Sequence, residues 1–289
     1  GYISAQHTEV IDMGLQRFNQ VLDQLQPHKP APKVITVAGT NGKGTTCRMI
    51  EALLLQGGYR VGTTLSPHIW RFNERIRLHG HDAGDDEICA AFAAIDEARG
   101  DVALTYFEFS ALAALYCMAQ AQVDVAILEI GLGGRLDAFN AIDADIAVIT
   151  SIGLDHQAFL GDTREAIGAE KAGILRSGQH VVLGQNMPAS VLQRCEELSL
   201  KPRCWGTDFS SASDIDQGTW QLSRQSQASL EIPLTAIAPH NIALASEAVA
   251  DMVELDLGLI AKCSAAYMPG RMDIRQTKDR MWILDVCHN

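Results

Sequence analysis

The first hydrophobic pattern along the chain is helical. Ile11, Leu15, Phe18, Leu22 and Leu25 recur on one helical face, and Pro27 ends the helix they predict. Lys33–Ala38 (KVITVA) is a short β-branched run that meets a Gly-rich turn. Helical periodicity returns at Met49, Ile50, Leu53 and Leu54, stops near Gly57-Gly58, and gives way to a strand over 60–65. Residues 123–130 and 145–151 are continuous apolar runs bounded by Gly or Asp. Continuous rather than alternating runs predict strands buried on both faces. Helical stretches around 107–120 and 163–175 separate such strands, and this alternation predicts a mostly parallel α/β sheet with flanking helices. Residues 202–233 break the rhythm. They are polar, rich in Ser and Gln, with short alternating pieces such as 219–222, and predict small antiparallel strands at the sheet margin. A helix over 239–253 follows, then another that ends before Pro269-Gly270.

Composition narrows the classes. The 289 residues are 47% hydrophobic, ample for one large domain or two smaller ones. The longest apolar runs, such as 123–128, are far too short to span a bilayer, and no signal peptide is visible, although Gly1 is not an initiator Met. The seven Cys are scattered without a CxxC pair or zinc-ligand spacing, which reads as reduced thiols in a cytoplasmic protein. A net charge of −12 argues against a nucleic-acid partner, but not against a small anion held in a local nest of amides and Arg.

The strongest local signal is Gly39-Thr40-Asn41-Gly42-Lys43-Gly44-Thr45, placed after a strand and before a helix. Successive glycines let backbone N–H groups approach phosphate oxygens, the helix N-terminus adds partial positive charge, and Lys43 supplies a full one. The strict Walker pattern fails, because Val37 stands where Gly is required and Gly44 where Ser or Thr is required. The fold expected is therefore a P-loop-type sheet. A triphosphate brings magnesium, which takes hard oxygen ligands and needs only one or two carboxylates. Glu129 ends the apolar run 123–130 and is a candidate by position, though a strand-end acid can also be merely solvated. His156, after Asp155, follows another strand and is as easily structural as functional. Ser66-Pro67-His68 is by itself a turn, and Lys171 beside Glu170 reads alone as an exposed ion pair.

These pieces resemble, in order, the motifs of the folylpolyglutamate synthase branch of the Mur ligase superfamily. The similar segments are the phosphate loop with Gly after its Lys, Ser66-Pro67-His68, Glu129 through Asp137, Thr150 through His156, and Glu170-Lys171-Ala172-Gly173. The likeness runs from Asp12 to Asn289 and leans toward the bacterial enzymes that also make dihydrofolate. It implies ATP on Thr40, Asn41, Gly42, Lys43, Gly44 and Thr45, with Asn241, Arg271 and Asp285 around the nucleoside. It implies Mg2+, as two ions, at Ser66, Glu129 and His156. It implies a carbamylated Lys171, which with Lys43 and His156 would form the catalytic set. For the acid substrate, dihydropteroate or a reduced folate, it implies Asp12, Met13, Gly14 and Leu15 and the stretch Thr105, Tyr106 and Phe107, although core packing explains those aromatics equally well. Arg135 is the candidate for the substrate carboxylate. Cys287 departs from the usual Ala of the last motif, a small apolar change.

That motif normally leads into a second α/β domain that binds glutamate and closes over ATP. The expectation is a central ATP-binding domain over 1–278 and the start of a truncated C-terminal domain over 279–289. The implied reaction joins L-glutamate to a carboxylate through an acyl phosphate, in a cytoplasmic monomer without nucleic-acid or membrane partners. A monofunctional polyglutamate synthase, a cell-wall ligase of the same superfamily and a non-catalytic ATP-binding module remain as alternatives.

Overall fold

The computed structural model describes residues 12–25, 29–214, 218–224, 229–233, 235, 237–265, 273–276 and 280–284. In chain order, helix α1 (Gln16–Leu22) precedes β1 (Lys33–Ala38), α2 (Lys43–Gln56), β2 (Val61–Thr64), β3 (Ile76–Leu78) and β4 (His81–Asp82). Helices α3 (Asp85–Arg99) and α4 (Tyr106–Gln120) lead to β5 (Val125–Glu129) and β6 (Ile146–Ile149). Then come α5 (Gln157–Leu160), α6 (Arg164–Ala172), β7 (His180–Leu183), α7 (Ala189–Glu197) and β8 (Arg203–Cys204). Strands β9 (Phe209–Asp214), β10 (Thr219–Arg224) and β11 (Leu230–Pro233), helices α8 (Pro239–Ala248) and α9 (Leu257–Ser264), and the hairpin β12 (Asp273–Gln276) and β13 (Met281–Leu284) complete it. Ile11, Pro27, Pro269 and Gly270 lie outside the described residues.

The main sheet has the order β4-β3-β2-β5-β1-β6-β7-β8. Strands β2, β5, β1, β6, β7 and β8 pair in parallel, and β3 and β4 add an antiparallel edge. Both faces are covered, which is why the strand sequences do not alternate. Val34, Ala126, Leu128, Ala147 and Ile149 face the core under α1, α3, α4, α6 and α7. Their neighbours Ile35, Val37, Ile127 and Val148 face the core under α2, α8 and α9. The chain leaves β1 in one direction to β2 and later returns beside it as β6, so the carboxyl end of β1 is a topological switch point. Ligand crevices of open α/β sheets form there.

Strands β9, β10 and β11 are the small antiparallel piece expected within 202–233, and they form a three-stranded sheet of their own. The fully buried Trp220 and Ile232 fasten it to the α8 and α9 side, and Glu247 of α8, buried, pairs with Arg203 and Arg224. Helix α3 was not expected, because it buries only Ile88, Ala91 and Ile95, a stripe too thin to stand out.

Candidate active site

The phosphate loop occupies the carboxyl end of β1, and its shape is set by what surrounds two glycines. Gly39 has φ +147°, and a Cβ there would lie 1.9 Å from Thr150 Oγ1. Gly42, at φ +82°, is the left-handed N-cap of α2, and a Cβ on it would lie 2.5 Å from Asn241 Oδ1. The segment after β6 clamps the loop. Thr40 N–H donates to Ser151 O (2.8 Å), Gly153 N–H donates to Thr40 Oγ1 (3.0 Å), and Thr150 Oγ1 donates to Asn41 O (2.6 Å). Two ammonium groups meet inside. Lys43 Nζ donates to Gly39 O and Thr40 O, both at 3.1 Å, and the buried Lys171 Nζ donates to Gly39 O at 2.9 Å. Burial, with Lys43 close by, pulls the Lys171 amine down to about 8.

Glu129 closes one wall. It is 3% exposed at the end of β5, accepts the Ser66 N–H at 2.7 Å, and donates its own N–H to Thr64 Oγ1 at 2.9 Å. Its Oε1 lies 3.3 Å from where a Gly44 Cβ would stand, so the glycine after the lysine leaves room for this carboxylate. His156 takes φ +48° at the start of α5, and its N–H donates to Asp155 Oδ1 at 2.8 Å. Ser66, Glu129 and His156 line one cavity with the whole loop from Gly39 to Thr45, and Lys171 lies in its wall. Among the described residues no three His, Cys, Asp or Glu side chains gather into a metal cage. Magnesium shared with phosphate oxygens does not need one. A buried carboxylate, a serine and an imidazole beside the loop fit such an ion.

A second, more apolar cavity adjoins the first. Met13, Pro67, Phe107, Leu132, Leu136 and Ala138 give it apolar walls, and Asp12, Arg75, Glu108 and Asp137 contribute charge. Arg17 ties it together, reaching Glu108 Oε2 at 2.9 Å and Asp12 Oδ2 at 2.6 Å. The Glu108 Oε1 atom is buried without a hydrogen-bond partner. Asp137 shapes the Gly-rich turn by accepting the N–H groups of Gly131 (2.9 Å), Leu132 (3.0 Å) and Phe139 (3.0 Å). Ser66, Pro67, Gly131, Leu132 and His156 belong to both cavities.

The sequence candidates divide accordingly. The loop residues, Ser66, Glu129, His156 and Lys171 share the phosphate cavity, and Asn241 lies against Gly42. Asp12, Met13, Gly14 and Phe107 share the acid cavity. Leu15 precedes α1, Thr105 caps α4 by accepting the Glu108 N–H (3.2 Å), and Tyr106 lies under the Arg75 guanidinium at 5.2 Å. Arg135 is bound to Glu170 at 2.9 Å with its side chain 56% exposed, away from both cavities. Arg271 and Asp285 lie outside the described residues. Arg75, Glu108 and Asp137 were not singled out as site residues from sequence. Asp137 carries a local signal as the acid that closes a Gly-rich turn, Glu108 follows Phe107 in the stretch that the resemblance assigns to the acid substrate, and Arg75 falls in the segment 68–77, which resembles a cationic loop over that site.

A phosphate loop at a sheet switch point, with a buried acid and an adjoining apolar cavity, defines a nucleotide-dependent enzyme of the P-loop α/β class. Residues 37–248 match the Mur ligase middle domain. The chain is 44% identical to the dihydrofolate synthase/folylpolyglutamate synthase of Escherichia coli (strain K12), over 100% of this chain and 68% of that protein. It superposes on the solved structure of E. coli FolC in complex with DHPP and ADP with a TM-score of 0.93 and 43% identity, covering 100% of this chain and 70% of the other. A bifunctional folylpolyglutamate synthase/dihydrofolate synthase solved with Mn, AMPPNP and L-glutamate bound gives a TM-score of 0.89 at 41% identity, with 100% and 70% coverage. The chain belongs to the Mur ligase family and, within it, to the dihydrofolate synthase/folylpolyglutamate synthases.

Proposed function

We propose that this chain carries the ATP and acid sites of a ligase that adds L-glutamate to dihydropteroate and to reduced folates. The observation that carries the reading is the shared wall of the two cavities, Ser66, Pro67, Gly131, Leu132 and His156. It sets a cavity with apolar walls and a few charged groups against the end of a phosphate loop. A carboxylate cannot lose oxide to an amine. Transfer of the ATP γ-phosphoryl group to it gives an acyl phosphate, from which inorganic phosphate leaves when the glutamate amine attacks. Here catalysis is mainly placement and charge neutralisation. The loop N–H groups and Lys43 would hold the phosphates, and Lys43 would leave its loop carbonyls to do so. Phe107 would lie along the flat ring system, and the orphan Glu108 Oε1 would accept a ring N–H. Magnesium at Ser66, Glu129 and His156 would offset phosphate charge.

Lys171 fits carbamylation, since burial raises the share of neutral amine that reacts with carbon dioxide. Asn241, with Arg271 and Asp285, is assigned to the nucleoside. The same reading assigns 1–278 to the ATP-binding domain and 279–289 to the start of a glutamate-binding one, in a cytoplasmic monomer. No helix among the described residues is long and apolar enough to cross a membrane.

The test uses the full-length natural protein with dihydropteroate, ATP, magnesium and labelled glutamate. Labelled dihydrofolate, identified by mass, is the expected product. Product from a reduced folate but not from dihydropteroate would reduce the activity to polyglutamylation alone, and no product from either would overturn the reading.

A further inference from the structure

We propose that Arg75 is the anion anchor of the acid cavity, pairing with the carboxylate of the acid substrate and holding it toward the phosphate loop. This assignment rests on the substrate reading above and adds the residue that selects for an acid. The other arginines with little exposed side chain, Arg17, Arg48, Arg77, Arg99 and Arg224, each pair with a carboxylate. Arg75 does not. Its Nε donates to His68 Nδ1 at 2.7 Å and its guanidinium lies 5.2 Å from the centroid of the Tyr106 ring, and no carboxylate among the described residues is within ion-pair distance. It nevertheless lines the acid cavity with Ser66, Pro67 and Phe107, on the side where the Glu129 charge is felt. Glu129 acts on it only through space, and the cavity's own acids are already engaged, Asp12 and Glu108 by Arg17 and Asp137 by backbone N–H groups, so a desolvated guanidinium with no carboxylate in direct contact is open to an anionic ligand.

The geometry of the group favours a carboxylate. The bond to His68 fixes the plane of the guanidinium and Tyr106 supports it, so the planar fork is held ready for a bidentate partner. The need for such a group follows from the reaction. The acid must approach a triphosphate, and a cation on its own side offsets the repulsion between two anions in a site of low dielectric. The competing cations are committed elsewhere, Lys43 and Lys171 to the phosphate loop and Arg135 to Glu170.

The experiment measures binding to the full-length protein in the presence of ADP. The probes are dihydropteroate and the same molecule with hydrogen in place of its carboxyl group. The wild type is expected to prefer the acid by about 10- to 100-fold, the range of a charge-assisted hydrogen-bonded contact. Arg75→Met is expected to bring that ratio near one, with ADP affinity and melting temperature unchanged. Arg75→Lys is expected to recover part of it, as a point charge without the fork. An Arg75→Met protein that keeps the wild-type ratio would overturn the assignment, as would one that loses ADP affinity as strongly as acid affinity. A wild type that binds neither probe would overturn the substrate reading itself and this assignment with it.

Discussion

The phosphate cavity and the acid cavity meet at Ser66 and His156 but are built from different material. The first is largely backbone. One stretch, 39–45, supplies amides, and a second, 150–153, fixes their positions through Thr40 and Asn41. The second is largely side chains drawn from six separated segments, with Met13, Arg75, Phe107 and Asp137 as examples, held in place by the Arg17 bridge between Asp12 and Glu108. A backbone-built site is sensitive where a Cβ would intrude or a fixed charge is lost. A side-chain-built site responds residue by residue and can change its ligand without losing its shape. Phosphate binding should therefore survive changes that abolish acid binding, and acid binding should survive damage to the loop, although the acid can react only if the phosphates are held.

The largest expected effect lies on the phosphate side. Lys43→Ala removes the one full positive charge on the loop itself, and ligation should fall by about a thousandfold, the scale of losing a preorganised charge partner of the transferred group. Dihydropteroate affinity should hardly move. Single-turnover formation of ADP with dihydropteroate bound checks the first, and equilibrium binding checks the second. Near-normal turnover in this variant would break the distinction between the two cavities.

Next in size is the Lys171 amine, buried beneath the loop. An unfolded lysine holds its proton up to about 10.5, whereas burial makes the folded one release it near 8. Between those values the unfolded state binds more protons, so the contribution of Lys171 to stability rises with pH across that window. The cost of the charge is fully present below pH 8. In bicarbonate-free buffer the difference in unfolding free energy between wild type and Lys171→Met should shift toward the wild type by on the order of 3 kcal/mol between these pH values. Chemical denaturation at several pH values measures it. A flat difference would mean that the amine is hydrated and that the loop floor is more open than its burial indicates.

The acid side is sharpened by Arg17→Met. Removing the bridge releases both Asp12 and Glu108, and the loss of two charge-assisted contacts should raise the KM for dihydropteroate by about tenfold. The KM for ATP should stay within twofold or so, because no Arg17 contact reaches the loop. Equal increases in both values would show that the cavities are mechanically one unit.

This contrast also explains how much could be read without coordinates. Strands buried on both faces leave continuous apolar runs, so β1, β5 and β6 were visible. A loop that needs Gly39 at φ +147° and Gly42 at φ +82° writes its demands into adjacent positions. Helix α7 buries only Val191 and Cys195, a stripe too narrow for periodicity to show. The acid cavity is harder for a different reason. The Arg17–Glu108 contact spans 91 positions, and an arginine looks the same in sequence whether it meets a surface acid, as Arg135 does, or a cavity, as Arg75 does. Arg135 was a candidate for its place on a Gly-rich turn, and in the structure that turn brings its side chain to Glu170.

The smallest effect tests the clamp on the phosphate loop. Thr150→Val keeps the shape that packs against Gly39 and removes only the hydroxyl that donates to Asn41 O at 2.6 Å. One lost hydrogen bond of about 1 kcal/mol corresponds to roughly a fivefold rise in the KM for ATP. The turnover number should change less, because Lys43 and the loop glycines are intact. Dihydropteroate affinity should not change, since Thr150 lines neither the acid cavity nor the shared wall. Should acid affinity weaken as well, the segment 150–153 would be the route by which the phosphate loop and His156 move together. The two cavities would then differ in construction but not in response.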